Sequence, residues 1–357
     1  MGRTNPENLA VIFQMYQQRS IATDRLRTSY YRTGEGHSRR LLMLHGNLSS
    51  AAFYLPLFTR LSRSWDVCAP DLRCFGDTEE APLDATRGYR DWSDDIYAFC
   101  RALGWKRFTL CGWSLGGNVA MQFAIDHPEM VERLILIAPA SPYGFGGSYG
   151  EEGTSFHPPG LGSGGGVANP ALVNLTTRSS RVILRELLQR FCFKPPFRMS
   201  WRWENIFIQE IGKIKLGDNY YPGSYTLCPR WPFVVAGQRG VLNAMSPQYG
   251  KLSAMLELKR KPKVLWIHGD SDEIVSDTSM VDLGYLGKLG LVSGWPGELV
   301  YPPQPMLSQT RHFFQLYKER GGSVREVVIP GGHMCALESP EDFFRVLDAF
   351  TPIPRVR

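Results

Sequence analysis

The chain has 357 residues, of which 43% are hydrophobic and 21% are charged, and its formal net charge is +6. One domain usually has about 100 to 200 residues, so this length predicts two domains or one large domain with an insertion. The composition is typical of a soluble globular protein and excludes the disordered and fibrous classes. Lys and Arg are scattered without a block of like charges, so we expect no nucleic-acid partner.

Seven cysteines lie between Cys68 and Cys335, and none forms a C-x-x-C pair. An odd number of scattered thiols is typical of a reducing compartment, so we predict a cytoplasmic protein without a disulfide framework. The N-terminal segment lacks the apolar run of a signal peptide, and no run approaches the roughly 18 apolar residues of a spanning helix. We therefore expect no membrane span. The sequence leaves homodimerisation open.

Short apolar runs bounded by turn residues predict strands that are buried on both faces. These runs are residues 39–46, 65–71, 107–114, 133–139, 263–269 and 324–332. Two segments with apolar residues three and four positions apart, 91–104 and 115–131, predict helices between them. This alternation predicts an α/β fold with a doubly wound, mostly parallel sheet.

The regular alternation stops between residues 140 and 262, where Gly-rich loops alternate with helix-like and aromatic stretches. Such a composition predicts an insertion packed over one edge of the sheet. We therefore expect a core of residues 1–139 and 263–357 and a mainly helical cap, or lid, of residues 140–262. A second irregular stretch, about 281–307, lengthens the connection before the last strand and is expected to help wall a pocket.

The motif G-x-S-x-G occupies Gly112 to Gly116 and places Ser114 between a predicted strand and a predicted helix. Glycines suit a sharp turn in which larger side chains would clash with neighbouring backbone. The N-terminus of the following helix favours developing negative charge. In this setting the motif predicts that Ser114 is an accessible nucleophile.

A serine nucleophile needs a base that is itself oriented by a third group. His333 follows the last predicted strand, in VVIPGGHM, and is the predicted base. The acid is expected in the loop after residues 263–269, which offers Asp270, Asp272 and Glu273. We choose Asp272, with Asp270 shaping the turn and Glu273 as the substitute.

An acyl-transfer site also needs hydrogen-bond donors aimed at the oxyanion. The backbone N–H of Leu115 is one predicted donor, and the loop after residues 39–46 supplies the other at Asn47. For substrate contacts we predict Trp113 together with aromatic residues of the 140–262 segment. That segment's aromatics form either an acyl pocket or the core of the cap itself. They are Trp201, Trp203, Phe207, Tyr220, Tyr221, Trp231 and Phe233.

In their order and spacing these segments resemble the α/β-hydrolase superfamily. The resemblance is carried by LLMLHGN, APDLRCFGDT, CGWSLGGNVAMQFA, WIHGDSDEIV and IPGGHMCALESPEDF. It implies a triad of Ser114, Asp272 and His333, an oxyanion hole at Asn47 and Leu115, no cofactor, and a cap inserted after the sixth strand. Cys74 stands where the family pattern D-x-R-G-F-G has glycine.

The leading interpretation is a serine hydrolase that cleaves a carboxylic ester, lactone or thioester of a bulky hydrophobic substrate through an acyl-enzyme. Hydrolysis of a carbon–carbon bond in a diketone by the same triad stays open, and so does a non-hydrolytic cyclase or ligand-binding member of the fold. The serine disfavours the haloalkane dehalogenase and epoxide hydrolase chemistries, which use Asp. Without H-E-x-x-H or a His and carboxylate cluster, we expect no metal.

Overall fold

The structure is a computed structural model that describes residues 16–155, 165–177 and 180–352. The strands are numbered in chain order. They are β1 (Arg19–Ala22), β2 (Arg27–Thr33), β3 (Arg40–Leu44), β4 (Asp66–Pro70), β5 (Phe108–Trp113), β6 (Val131–Ile137), β7 (Ser148–Tyr149), β8 (Thr154–Ser155), β9 (Leu216–Gly217), β10 (Tyr221–Pro222), β11 (Tyr225–Leu227), β12 (Val234–Ala236), β13 (Lys263–Gly269) and β14 (Val324–Ile329).

The α-helices of the described residues are numbered in the same way. They are α1 (Leu55–Leu61), α2 (Arg90–Ala102), α3 (Leu115–Asp126), α4 (Pro170–Thr177), α5 (Arg181–Cys192), α6 (Trp201–Ile211), α7 (Val241–Ala244), α8 (Leu283–Lys288), α9 (Met306–Glu319), α10 (Cys335–Glu338) and α11 (Pro340–Phe350). The two predicted helices correspond to α2 and α3. Helix α3 ends at Asp126, sooner than predicted, and β6 begins at Val131.

Eight strands form one central sheet in the order β1-β2-β4-β3-β5-β6-β13-β14. The β1–β2 and β2–β4 pairs are antiparallel, and all other neighbours in this sheet are parallel. Every residue of β4 and β5 is buried, as expected of strands covered on both faces. The predicted α/β fold with a mostly parallel sheet is therefore confirmed. The carboxyl ends of β3, β5, β13 and β14 meet at one edge, where ligands bind in open α/β sheets.

The described residues of the segment between β6 and β13, residues 138–262, form helices α4 to α7 and three two-stranded sheets. Its buried residues Phe207, Tyr221 and Leu242 belong to the same hydrophobic cluster as the central sheet. The segment therefore packs directly against the hydrophobic core that contains the central sheet. Its division from the core as a separate cap domain stays a prediction.

Cys74 has a φ of +76° and is fully buried. This is the left-handed region, which favours glycine and strains other residues. The backbone thus keeps the turn for which the family pattern has glycine, although a cysteine occupies the position. In the part of the chain that the structure covers, no helix is both long and apolar enough to cross a bilayer.

Candidate active site

Ser114 lies at the sharp turn between β5 and α3, with φ +52° and ψ −123°. Its backbone N–H donates to the carbonyl oxygen of Ile137 at 2.9 Å, which fixes the turn to β6. A Cβ at Gly112 would lie 2.1 Å from the carbonyl oxygen of Gly116, and a Cβ at Gly116 would lie 2.1 Å from that of Leu44. Both flanking positions therefore require glycine, and the strained residue between them is the predicted nucleophile.

His333 and Asp272 lie beside each other at the ends of β14 and β13. The His333 Nδ1 atom is 2.8 Å from Asp272 Oδ2, and the two residues are only 3% and 8% exposed. The Asp272 Oδ1 atom accepts the backbone N–H groups of Ile274 at 2.8 Å and Val275 at 2.9 Å. A carboxylate only accepts, so His333 carries its proton on Nδ1 and presents Nε2 as an acceptor.

The two alternative acids have other partners. Asp270 pairs with Lys194 at 2.9 Å and accepts the N–H of Gly331 at 3.2 Å, which fits its predicted turn-shaping position. Partial burial raises the pKa of Asp270, but the Lys194 and Gly331 hydrogen bonds outweigh it and the net pKa is lowered. Glu273 pairs with Arg190 at 2.7 Å near the surface. Of the three carboxylates, the structure places Asp272 against His333.

Ser114 and His333 line one cavity of about 380 Å³ together with Asn47 and Trp113. Leu115, the first residue of α3, follows Ser114 directly, and first-turn N–H groups have no partner within a helix. Asn47 follows β3 in the neighbouring loop. The structure thus places Leu115 at the nucleophile turn and Asn47 in the cavity lining, where backbone donors can stabilise a developing negative charge.

Most of the other described side chains that line the cavity are apolar, and Asn174 is a polar exception. Among the described residues that line it, none is Lys, Arg, Asp or Glu. Its wall is built mainly by aliphatic side chains of α4, α5 and the loops after β12 and β13. Examples are Leu172, Leu184, Leu187, Leu188, Met245 and Met280. Val281 also lines the cavity, so the predicted wall from the 281–307 stretch is present only at its first residue.

The four predicted tryptophans are placed differently. Trp113 lines the cavity, and its Nε1 donates to the carbonyl oxygen of His333 at 2.9 Å. Trp201 is 46% exposed at the start of α6, and Trp203 packs on the large hydrophobic cluster. Trp231 packs edge-on against Tyr301 at 4.7 Å, in a separate small cluster. The structure does not bring Trp201, Trp203 or Trp231 into this cavity, because the leucines of α4 and α5 occupy its wall.

His45, in the HGN segment, is a functional-loop residue that sequence reasoning missed. Its Nε2 accepts the backbone N–H of Leu72 at 2.9 Å, and its Nδ1 lies 2.9 Å from the carbonyl oxygen of Gly46. Burial lowers its pKa to about 4, although the Gly46 hydrogen bond opposes this. His45 is therefore neutral and fixes the loop that carries Asn47. The position of His45 directly after β3 is the sequence feature that indicates this role.

No three His, Cys, Asp or Glu side chains of the described residues are grouped so that they could hold a metal ion. The arrangement brings together a strained serine, a buried histidine–carboxylate pair and an apolar cavity. Such an arrangement can carry out proton transfer and nucleophilic attack on a carbonyl carbon.

Comparison with known proteins gives a family and a fold. A family model described as "alpha/beta hydrolase fold" matches residues 39–286. A serine hydrolase-like protein of Danio rerio is 34% identical over 112 residues, which are 31% of this chain and 33% of that protein. The 2-hydroxymuconate semialdehyde hydrolase of Pseudomonas sp. strain CF600 is 34% identical over 125 residues, which are 34% of this chain and 43% of that protein. The matched region thus spans less than half the length of these relatives.

Among the solved structures that resemble this chain are a carboxylesterase and an enol-lactonase. The carboxylesterase CesB (YbfK) of Bacillus subtilis has a TM-score of 0.58 and 16% identity, and the match covers 96% of this chain and 95% of that one. The enol-lactonase of Burkholderia xenovorans LB400 has a TM-score of 0.56 and 16% identity, with 94% and 100% covered. At such low identity these likenesses establish the fold alone.

Proposed function

The chain belongs to the α/β-hydrolase superfamily, and from this premise we propose that it is a serine hydrolase that cleaves esters of neutral, apolar acyl groups. The observation that carries the proposal is the shared cavity of Ser114 and His333, with Asp272 bonded to the far side of the imidazole. Lactones and thioesters of similar apolar character are covered by the same proposal, because their cleavage uses the same carbonyl chemistry.

The proposed mechanism starts with Ser114. Its Oγ attacks the ester carbonyl carbon while His333 Nε2 takes the hydroxyl proton, and Asp272 stabilises the imidazolium that forms. The backbone N–H groups of Leu115 and Asn47 donate hydrogen bonds to the negatively charged oxygen of the tetrahedral intermediate. His333 then passes the proton to the leaving alkoxide. A water molecule, activated by His333, releases the acid and restores the serine.

The cavity wall supports the substrate class. Its aliphatic surface stabilises a bound hydrocarbon chain by roughly 25 cal/mol for each Å² of apolar surface removed from water. Because the described lining contains no charged side chain, a carboxylate or phosphate on the acyl group would lose its hydration without gaining an ion pair. The same reasoning disfavours the carbon–carbon alternative for diketones that carry a carboxylate.

The proposal is tested with a series of p-nitrophenyl esters from acetate to dodecanoate, assayed with wild-type protein and with Ser114→Ala. We expect kcat/KM to rise with acyl length up to a chain that fills the cavity, and Ser114→Ala to remove the activity. A succinate half-ester of matched length serves as the charged control and should react far more slowly. Hydrolysis of a carboxylate-bearing diketone in preference to every ester would overturn the proposal in favour of carbon–carbon cleavage.

A further inference from the structure

Glu338 fixes the loop before His333 through a hydrogen bond to the loop backbone. This glutamate ends α10, and its carboxylate reaches back to two backbone segments that are far apart in sequence. Its Oε1 accepts the N–H of Gly332 at 2.6 Å, and its Oε2 accepts the N–H of Lys194 at 2.7 Å. One carboxylate therefore joins the residue next to His333 to the chain that leaves α5.

The two glycines before His333 make this contact possible. Gly331 has a φ of +137°, and a Cβ there would lie 3.0 Å from both the Cα of Cys335 and Oε1 of Glu338. A Cβ at Gly332 would lie 3.0 Å from the carbonyl oxygen of Cys192. The loop thus packs so closely on Glu338 and on the end of α5 that side chains have little room at either position.

A second bond joins the same two segments on the other side of the histidine. The N–H of Met334 donates to the carbonyl oxygen of Cys192 at 3.0 Å. The backbone before and after His333 is therefore tied to residues 192–194. Cys192 and Phe191 belong to α5 and line the cavity, so this attachment point is part of the substrate wall.

We propose that Glu338 is a positioning residue that fixes His333 relative to the α5 wall of the cavity. The inference rests on the proposed function, since it assigns His333 as the base. An acyl chain packed on α5 then acts on the position of the imidazole through Lys194, Glu338 and Gly332. Filling the cavity and aligning the base become linked, and long acyl chains gain in kcat as well as in binding.

The test compares Glu338→Gln with wild-type protein on p-nitrophenyl acetate and octanoate. Glutamine keeps the size of the side chain but turns an NH₂ group toward one of the two N–H donors, so one bond is lost. Loss of a hydrogen bond to a charged group corresponds to roughly a 10- to 100-fold effect. We expect kcat for octanoate to fall within this range, with a smaller change in its KM and a smaller loss for acetate.

Glu326→Gln is the matched control. Glu326 lies on β14 and also receives two hydrogen bonds, but its partners are His268 at 3.0 Å and Arg311 at 2.9 Å and not residues 192–194 or the His333 loop. Its kcat values should stay within about twofold of wild type. Equal kcat losses in both variants, or an unchanged octanoate-to-acetate ratio in Glu338→Gln, would overturn the proposal.

Hydrogen exchange gives an independent measurement in case Glu338→Gln does not fold. Wild-type protein is labelled with and without bound decanoic acid, and peptides covering residues 190–197 and 329–336 are followed. The proposal requires that protection rise in both peptides together; protection confined to 190–197 would contradict it. Failure of the proposed function shows differently, because wild-type protein would then hydrolyse no ester or would prefer a carboxylate-bearing diketone to every ester.

Discussion

The Nδ1 atom of His333 lies 2.8 Å from the Oδ2 atom of Asp272, and both residues are almost wholly buried. The second carboxylate oxygen accepts the N–H groups of Ile274 and Val275. These bonds fix both the direction of the carboxylate and the tautomer of the imidazole. The pair is therefore arranged so that Nε2 is left to accept a proton from the cavity side.

Replacing Asp272 by Asn should abolish most activity with little change in the fold. The amide can turn its NH₂ group toward Nδ1, which places the histidine proton on Nε2 and leaves no acceptor for the serine proton. We expect kcat/KM at neutral pH to fall by about 10³-fold or more. Steady-state kinetics on p-nitrophenyl octanoate provide the measurement.

Glu273→Gln is the control for this prediction, since Glu273 pairs with Arg190 near the surface. A surface ion pair contributes at most about 1 kcal/mol, so the variant should retain near wild-type kinetics. If Glu273→Gln lost activity while Asp272→Asn kept it, the acid assignment would be wrong.

Leu187 offers a test of the cavity wall. It lies on α5 among the lining residues, and an indole in its place would occupy space needed by a long acyl chain. We expect Leu187→Trp to lower kcat/KM for octanoate about tenfold or more, because overpacking destabilises the bound state by about 1 to 3 kcal/mol. Hydrolysis of acetate should change little. Val182→Trp, at a position on the same helix that is 60% exposed, should leave both rates unchanged. A variant pair with identical chain-length profiles would show that α5 does not form the acyl wall.

The environment of Asp71 predicts that the free energy of unfolding depends on pH. Burial raises its pKa to about 7, although the N–H groups of Asp77 and Ala51 partly oppose the shift. The folded-state pKa lies above the unfolded-state value, so the folded protein binds the extra proton. The stabilising contribution is complete below about pH 4 and is lost as the pH rises to about 7. The free energy of unfolding, measured in urea between pH 4 and 8, should show this decrease.

Asp71→Asn should remove that part of the decrease, whatever its effect on absolute stability. Asp282 gives a second, smaller contribution, because burial raises its pKa to about 6 against the opposing N–H groups of Tyr285 and Gln304. Its window is therefore about pH 4 to 6, and Asp282→Asn should remove only this portion. If the free energy of unfolding changed with pH equally in wild type and in both variants, the decrease could not be assigned to Asp71 and Asp282.

The central strands could be predicted because parallel strands covered on both faces are continuous apolar runs. Strands β1 and β2 could not, because RSIA is mostly exposed and RTSYYRT mixes polar and aromatic residues at the antiparallel edge of the sheet. The turn at Ser114 could be predicted from its motif, because Gly112 and Gly116 lie too close to neighbouring backbone atoms for a side chain to fit.

The cavity wall was predicted less well than the reacting groups. We predicted Trp201, Trp203 and Trp231 as substrate contacts because they are aromatic. The cavity wall instead contains Leu184, Leu187, Leu188 and Phe191 of α5. Their spacing of three and four residues marks one face of a helix, and this pattern was a usable signal. The bonds of Glu338 were not predictable, because they join backbone N–H groups that are 144 and 6 residues away in sequence.

The central claim, that Ser114 is activated by His333, is tested most directly with a fluorophosphonate probe. Intact-mass spectrometry followed by peptide mapping would compare wild type, Ser114→Ala and His333→Ala. We expect one adduct on Ser114 in wild type, none in Ser114→Ala, and labelling slowed by several orders of magnitude in His333→Ala. A well-folded wild type that forms no adduct on Ser114, or an adduct that forms equally fast without His333, would contradict this claim.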